Sequence, residues 1–494
     1  MNVADAGTWL AFAFIWALGI GVLIVAVLFV IDVTQTSDAV RRNFPVIGRF
    51  RKLFSSLGEF FRQYFFAMDR EEMPFNRAQR DWVYRSADGK GNVRPFGSTK
   101  NLQPVGTPIF VNSAWPALDE EAVEASPLII GPGAARPYEA PSFFNMSSMS
   151  YGSLSKPAIR ALSLGTAKAG CWMSTGEGGL APAHLEGGGD IVFQIGTAKY
   201  GVRDEDGNLD EDKLKSIASH PEVKMIELKL AQGAKPGKGG ILPAHKVTEE
   251  IAAIRHIPVN KDSISPNRHL DIANDQQLLD QIERLRRVSG LPVGIKTVLG
   301  DDGWLDGFFA AINQRGQECA PDFITIDGGD GGTGAAPMPL MDNVGMVAHE
   351  SLPLTVHLRR KHGLQDRIRI VVSGKMITPS DVAWALATGT DFVNAARGFM
   401  FSIGCIQAMK CHTNHCPTGV TTHNKRLQRG LVPEEKSTKV ANFVAQMRKE
   451  VNIIAHSCGV SSPRDLKPHH VRIVCPDGRS RRMDELHPDP VRQT

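Results

Sequence analysis

LPVGIKTVLGDDGWLDGFFAAINQRGQECAPDFITIDGGDGGTGAAP, residues 291–337, decides the fold. Its first segment, LPVGIKTV (291–298), and its later one, DFITID (322–327), are short apolar runs rich in β-branched residues. Such runs read as strands buried on both faces. The helical segment GFFAAINQR lies between them, and each strand runs out into polar, glycine-rich chain. Strand, helix, strand in this order predicts parallel strands joined by a crossover.

The same rhythm extends outward in both directions. Further candidate strands are FFNMSSMS (143–150), GCWMST (170–175), MIELKL (225–230), IPVNKD (257–262), IRIVVSG (368–374) and DFVNAARG (391–398). KPAIRALSLGTAKA, HKVTEEIAAIR, DQQLLDQIERLRRVS and PSDVAWALATG supply helices between them. Eight strands alternating with helices predict an α/β chain of the (β/α)8 TIM barrel type, with a doubly wound open sheet as the alternative. The strand ends carry SMSYGS, STGEGG, LAQGAKPGKGG, SISPNRH, IDGGDGGTGAAP, VSGK and AARG. In a barrel those ends form the active face.

Composition sets bounds on the rest. The chain has 494 residues, 42% of them hydrophobic and 22% charged, with a formal net charge of +4. So small a net charge leaves no electrostatic footprint for nucleic acid. Its 48 glycines point to backbone that approaches a ligand closely. Seven cysteines in this length are no disulfide framework, which favours a reducing compartment.

LAFAFIWALGIGVLIVAVLFVI, residues 10–31, is 22 residues without a charge and predicts one transmembrane helix. Only the acidic Asp5 precedes it as a charge, so it reads as an anchor rather than a cleaved signal. Arg41, Arg42, Arg49, Arg51 and Lys52 follow it, which puts the N-terminus outside and the bulk of the chain in the cytoplasm, at the inner membrane. Residues 48–66, GRFRKLFSSLGEFFRQYFF, space aromatic and basic residues as an amphipathic helix, which either lies on the inner leaflet or docks on a core. The expected organisation is an anchor over 1–34, an amphipathic helix and wrapping arm over 35–125, the barrel over 126–430 and a C-terminal extension over 431–494.

Several positions carry candidate chemistry. Cys405, Cys411 and Cys416 lie in FSIGCIQAMKCHTNHCPTGV (401–420), a C-x5-C-x4-C spacing that is not a zinc ribbon. Three thiolates in one loop can hold three irons of a cluster, and the alternative is a set of small buried hydrophobes. Lys296 projects from a strand into the barrel mouth, where it either serves a ligand or pairs with Asp327 or Asp330; Lys229 is a parallel case at the end of the third candidate strand. Gly374, Lys375, Arg397 and Gly398 close the seventh and eighth strands, where barrels bind phosphate.

AQGAKPGKGG with LPAHKV, SISPNRHLDI, GIKTV, DGGDGGTGAAP and GCIQAMKCHTNHCPTGV, in that order, resemble the flavin-binding synthase domain of glutamate synthase over roughly residues 125–425. The resemblance implies FMN in the barrel, a [3Fe-4S] cluster on Cys405, Cys411 and Cys416, and reduction of 2-iminoglutarate, formed from 2-oxoglutarate and ammonia, to L-glutamate. It implies that Lys296 is the active-site lysine and that Ser148, Met149 and Ser150 lie along the flavin. Gln232 and Lys235 fall in the family's AQGAKPG stretch, and Asp330, Gly331 and Gly332 in its HDGGTG-like stretch.

The chain also departs from the family. Lys238 stands where many members have a carboxylate, and Glu177 in STGEGG is a candidate substitute, so Lys296, Glu177 and Asp330 form the expected catalytic set. SPNRHLDI keeps His269 and Asp271 of the family's PPPHHDI and introduces Asn267 and Arg268. The family's large members begin with a cysteine-nucleophile glutaminase domain, but here no cysteine precedes Cys171. The chain thus resembles the short members, and a separate glutaminase subunit and a donor protein or reductase are the expected partners besides the membrane. Two other outcomes stay open: an FMN oxidoreductase of another oxo acid, N-alkyl amino acid or hydroxy acid, and a membrane-docked electron-transfer module.

Overall fold

The computed structural model describes residues 3–490. Met1 and Asn2 of the expected anchor and residues 491–494 of the expected extension lie outside them. The chain divides into two compact units, one ending at Ala78 and the other beginning at Gln79.

The first unit opens with the helix Val3–Thr34, whose Gly7–Thr34 stretch is long and apolar enough to cross a membrane. At 1.5 Å per residue such a stretch exceeds the ~30 Å hydrocarbon core, leaving room for tilt. The Asp32 carboxylate then gathers the next turns: Arg41 Nη2 at 2.6 Å, Arg49 Nη2 at 2.7 Å and the Val46 amide at 3.0 Å. The helix Gly48–Phe61 continues into the π-helical turn Arg62–Phe66. Phe50, Phe54 and Phe65 are 49%, 65% and 68% exposed.

The second unit is a closed parallel barrel of eight strands, which rules out the open sheet. In chain order they are β1 (Phe144–Met146), β2 (Met173–Ser174), β3 (Ile191–Ile195), β4 (Val223–Lys229), β5 (Val293–Thr297), β6 (Phe323–Asp327), β7 (Arg369–Ser373) and β8 (Phe392–Ala395). β8 pairs with β1, Val393 beside Phe144, and closes the ring.

Seven of the expected strands appear, and one does not. IPVNKD (257–262) is a turn: Pro258 cannot donate to a ladder, and Asn260 takes a positive φ of 56°. The remaining barrel strand is β3, whose five residues are all buried. Lys229 therefore ends the fourth strand and not the third. The chain from 231 to 274 is an excursion above the barrel mouth, holding the hairpin Ile241–Leu242 with Ser263–Ile264 and the helix Glu249–Arg255.

Local signals set the helices. Ser155 caps Lys156–Ala169 by accepting from the Ala158 amide, and Gly170 ends it with φ 58°. Asn274 caps Asp275–Ser289 through the Gln277 amide. That helix and Gly303–Arg315 bury Leu279, Ile282, Phe308 and Phe309 against the strands, each contributing about 1.5–3 kcal/mol. At the opposite end from the mouth, the hairpin Leu128–Ile130 with Tyr138–Ala140 plugs the barrel, packing Ile130 and Tyr138 on Trp172, Phe323 and Phe392. The helix Pro433–Ser457, within the span expected as an extension, lies along Lys156–Ala169: a Cβ on Gly165 would stand 2.5 Å from Val440.

Candidate active site

The C-terminal ends of the strands open into a cavity lined by Ser148, Met149, Ser150, Glu177, Gln232, Gly332, Arg397 and Cys411 among the expected site residues. Sequence reasoning missed Tyr200, Lys246, Arg255 and His412 of the same lining. Three of these four come from the excursion or the cysteine loop, and nothing local in the sequence marks them as facing the mouth.

Beneath the cavity, Glu227 of β4 is 2% exposed and sits at the centre of a polar network. Its carboxylate accepts from Thr325 Oγ1 at 2.6 Å, Gln194 Nε2 at 2.5 Å and Ser148 Oγ at 3.3 Å. Three barrel strands and the chain after β1 are thereby tied to one group. A buried carboxylate stays acceptable only when its lone pairs are satisfied in this way.

Two lysine–carboxylate pairs flank the network. Lys229 Nζ lies 3.1 Å from Glu177 Oε2, and Lys296 Nζ 3.5 Å from Asp327 Oδ2. The expected alternative for Lys296, an ion pair with Asp327, is thus present. Asp327 also accepts from Ser373 Oγ at 2.6 Å and from the Gly233 amide at 2.9 Å. Burial alone would raise the Glu177 carboxyl, but the charges of Lys229 and Lys235 outweigh it and hold the group below its ordinary value. Burial, with the nearby charge of Lys229, lowers Lys235. Glycine makes this packing possible, since a Cβ on Gly240 would stand 2.5 Å from Glu177 Oε1. Lys238 is exposed, and Glu177 lies against Gly240 of the PGKGG turn.

The remaining expected residues spread around the rim. Asp330 accepts from the Ala348 amide at 3.4 Å and faces Lys375 Nζ at 3.8 Å. Gly331 and Gly374 adjoin, a Cβ on Gly331 falling 3.6 Å from the Gly374 Cα. Arg397 donates to the Thr333 carbonyl and reaches Cys411 Sγ at 3.9 Å. Gly398 is turned elsewhere, its Cβ position lying 2.8 Å from the Phe443 ring. Arg268 does not line the cavity and donates to the carbonyls of His269 and Ile272. His269 Nε2 meets the Lys229 carbonyl at 2.9 Å, and Asp271 pairs with Lys199 at 3.0 Å.

Cys405 and Cys416 are buried and Cys411 half-buried. Burial pushes the Cys405 thiol up to about 11, and the neighbouring Cys411 and Cys416 add to the rise. Burial opposes ionisation of Cys416, but hydrogen bonding, with Thr418 Oγ1 at 3.5 Å from its Sγ, brings it below its ordinary value. Among the described residues no group of three His, Cys, Asp or Glu side chains is placed to hold a metal ion.

A closed parallel barrel with charged pairs gathered at the C-terminal mouth is the architecture of a barrel enzyme. Comparison with known proteins gives the family. A family model described as a conserved region in glutamate synthase matches residues 111–461. The glutamate synthase large subunit-like protein YerD of Bacillus subtilis (strain 168) is 38% identical over 508 residues, covering 95% of this chain and 96% of that protein. The archaeal glutamate synthase [NADPH] of Methanocaldococcus jannaschii is 32% identical over 330 residues, 66% of this chain and 61% of that one. An archaeal-type glutamate synthase [NADPH] of Thermotoga maritima is 32% identical over 67% of this chain and 61% of that protein. The chain belongs to the glutamate synthase family. The matched region spans about three-fifths of the two archaeal-type relatives, whereas YerD matches almost end to end.

Proposed function

We propose that this protein reduces 2-iminoglutarate, formed from 2-oxoglutarate and ammonia, to L-glutamate at an FMN-dependent barrel mouth. The observation that supports the reading is that part of the set expected at the flavin and substrate faces one cavity, with Lys296 and Asp330 outside its lining. Ser148, Met149, Ser150, Gln232, Gly332 and Arg397 line it together, with Glu177. FMN, when bound, supplies the hydride.

The residues present fit that group. Ser148, Met149 and Ser150 would lie along the flavin ring. Gly331, Gly332, Gly374, Lys375 and Arg397 would form the phosphate end, where Lys375, 3.8 Å from Asp330, would hold the phosphate. Lys296, 4% exposed, presents an ammonium that attracts a substrate carboxylate and releases Asp327 to its Ser373 and Gly233 partners. Glu177, which lines the cavity, and Asp330, on the rim beside Lys375, are the carboxylates this reading assigns to proton exchange. Cys405, Cys411 and Cys416 share one loop, and the resemblance to the family assigns a [3Fe-4S] cluster to their thiolates.

The helix Val3–Thr34 belongs to the same reading as a membrane anchor, with the barrel on the cytoplasmic side and the aromatic face of Gly48–Phe61 against the inner leaflet. Electrons come from a donor protein or reductase, and ammonia from solution or a separate glutaminase subunit. The test is anaerobic turnover of purified full-length protein with reduced flavin, 2-oxoglutarate and ammonium. Stoichiometric glutamate is expected; flavin that stays reduced with both substrates present would overturn the assignment.

A further inference from the structure

A second cavity, of about 600 Å3, opens at the ends of β4 and β5 and shares no lining residue with the mouth. Its walls are the chain leaving those strands, the end of the excursion, and the first turns of the helices Asp275–Ser289 and Gly303–Arg315. Leu230, Ile272, Leu278 and Leu299 make the lining apolar, and Trp304 adds an indole. That ring is fixed twice: Nε1 donates to Asp275 Oδ1 at 3.1 Å, and the ring stacks on Phe308 with centroids 5.5 Å apart and planes 13° apart. An aromatic ring held at its edge and on one face is a rigid platform for an apolar ligand.

Two opposite charges line the same space. Arg268 Nη1 donates to the carbonyls of His269 at 3.1 Å and Ile272 at 2.9 Å, which fixes the guanidinium. Its Nε and Nη2 have no acceptor among the described residues. Asp301 accepts the Gly303 amide at 3.0 Å through Oδ1, and Oδ2 has no partner among them. Neither group joins an ion pair there, with the other or with any third charge. Both are exposed, as groups that trade solvent for a ligand must be.

His269, 2% exposed, belongs to the lining as well. Burial lowers its pKa and keeps the ring neutral. Its Nε2 meets the Lys229 carbonyl at 2.9 Å, and a carbonyl only accepts, so Nε2 carries the ring hydrogen. Nδ1 is then a buried acceptor without a donor among the described residues, an arrangement that native structures seldom leave unanswered.

We propose that this cavity binds a free α-amino acid with an apolar or aromatic side chain. The ligand's carboxylate meets the open donors of Arg268, its ammonium meets Asp301, and its side chain packs on Trp304 and the leucines. An ammonium is also the kind of donor that His269 Nδ1 lacks. An anion alone would face Asp301 unpaired, a cation alone would face Arg268, and an uncharged ligand would cover both charges without answering either. This binding depends neither on flavin nor on the reaction at the mouth.

Calorimetric titration of full-length protein with L-phenylalanine and L-leucine tests it. Saturable binding at one site per chain is expected, with slower hydrogen exchange in peptides covering 268–275 and 297–304. 3-Phenylpropionate lacks the ammonium and phenylethylamine the carboxylate, and each should bind at least ~10-fold more weakly than L-phenylalanine. L-Serine keeps both charges without the apolar side chain and should be weaker by a similar factor. Arg268→Gln and Asp301→Asn should each weaken L-phenylalanine at least ~10-fold. Asp301→Asn keeps an acceptor for the Gly303 amide and removes only the charge, so it decides the matter if Arg268→Gln disturbs the excursion. No saturable binding of either amino acid, equal binding of the acid or the amine, or affinity unchanged in Asp301→Asn overturns the proposal. Displacement by 2-oxoglutarate, or exchange slowed at 148–153 instead, would put the ligand at the mouth and overturn it too.

Discussion

Lys229 Nζ and Glu177 Oε2 lie 3.1 Å apart at the barrel mouth, their side chains only 11% and 16% exposed. A pair this dry is held by mutual need, since removing one partner strands the other charge away from water. Glu177→Gln should cost about 3 kcal/mol in chemical denaturation. The double variant Glu177→Gln, Lys229→Met should recover part of that loss. Strictly additive effects would show that the two groups do not share one site.

Lys296→Ala should slow glutamate formation by at least ~100-fold while flavin content stays at the wild-type level. The fold should survive, because Asp327 keeps the Ser373 hydroxyl and the Gly233 amide as donors. Steady-state rates and the flavin-to-protein ratio from absorbance check both halves. Full activity with flavin bound would remove Lys296 from the catalytic set.

Gly233 makes one of the two tightest backbone crossings at the mouth: a Cβ there would stand 1.9 Å from the Gly328 carbonyl oxygen, as one on Gly239 would from that of Ser265. Gly233→Ala should therefore force apart the excursion and the chain after β6, with a destabilisation of about 3 kcal/mol or more. Gly300→Ala, where nothing lies within 4 Å, should change the melting temperature very little. Equal melting temperatures for the two variants would contradict this packing.

His184 is buried, accepts from the Ala181 amide through Nδ1, and has its pKa lowered by burial to about 4 from 6.5. Between those values the unfolded chain binds a proton that the folded chain refuses, so stability falls as pH drops through that window. The loss should approach about 3 kcal/mol and be fully avoided above about pH 7. Denaturant titrations at several pH values on wild type and His184→Asn check it: the slope over this window should be shallower in the variant.

Much of this architecture could be read before any coordinates. The two strands of the opening quotation and five others carry continuous apolar runs followed at once by polar glycine-rich chain. That is what a strand buried on both faces and ending at an active rim must look like. β3 escaped because Ile191–Ile195 is short and has glycines at 187–189 and 196 on either side. IPVNKD took its place on the strength of three apolar residues, although Pro258 and a positive φ at Asn260 make it a turn. A short apolar run does not by itself distinguish strand from loop.

The site divides in the same way. The sequence by itself determined the barrel, the apolar N-terminal helix and the glycine-rich rim, because each is written in local hydrophobicity, period and backbone permissiveness. Only the tertiary structure decided which charges meet: Glu177 with Lys229, Lys296 with Asp327, Glu227 with Thr325 and Gln194, and Lys246 with three distant carbonyls. Glu227 and Thr325 stand 98 positions apart, and Lys246 and Thr421 stand 175. Pairing over such separations follows from how the ring of strands closes and how the excursion folds back over it. No pattern along the chain encodes that convergence, because it is set by the geometry of packed elements.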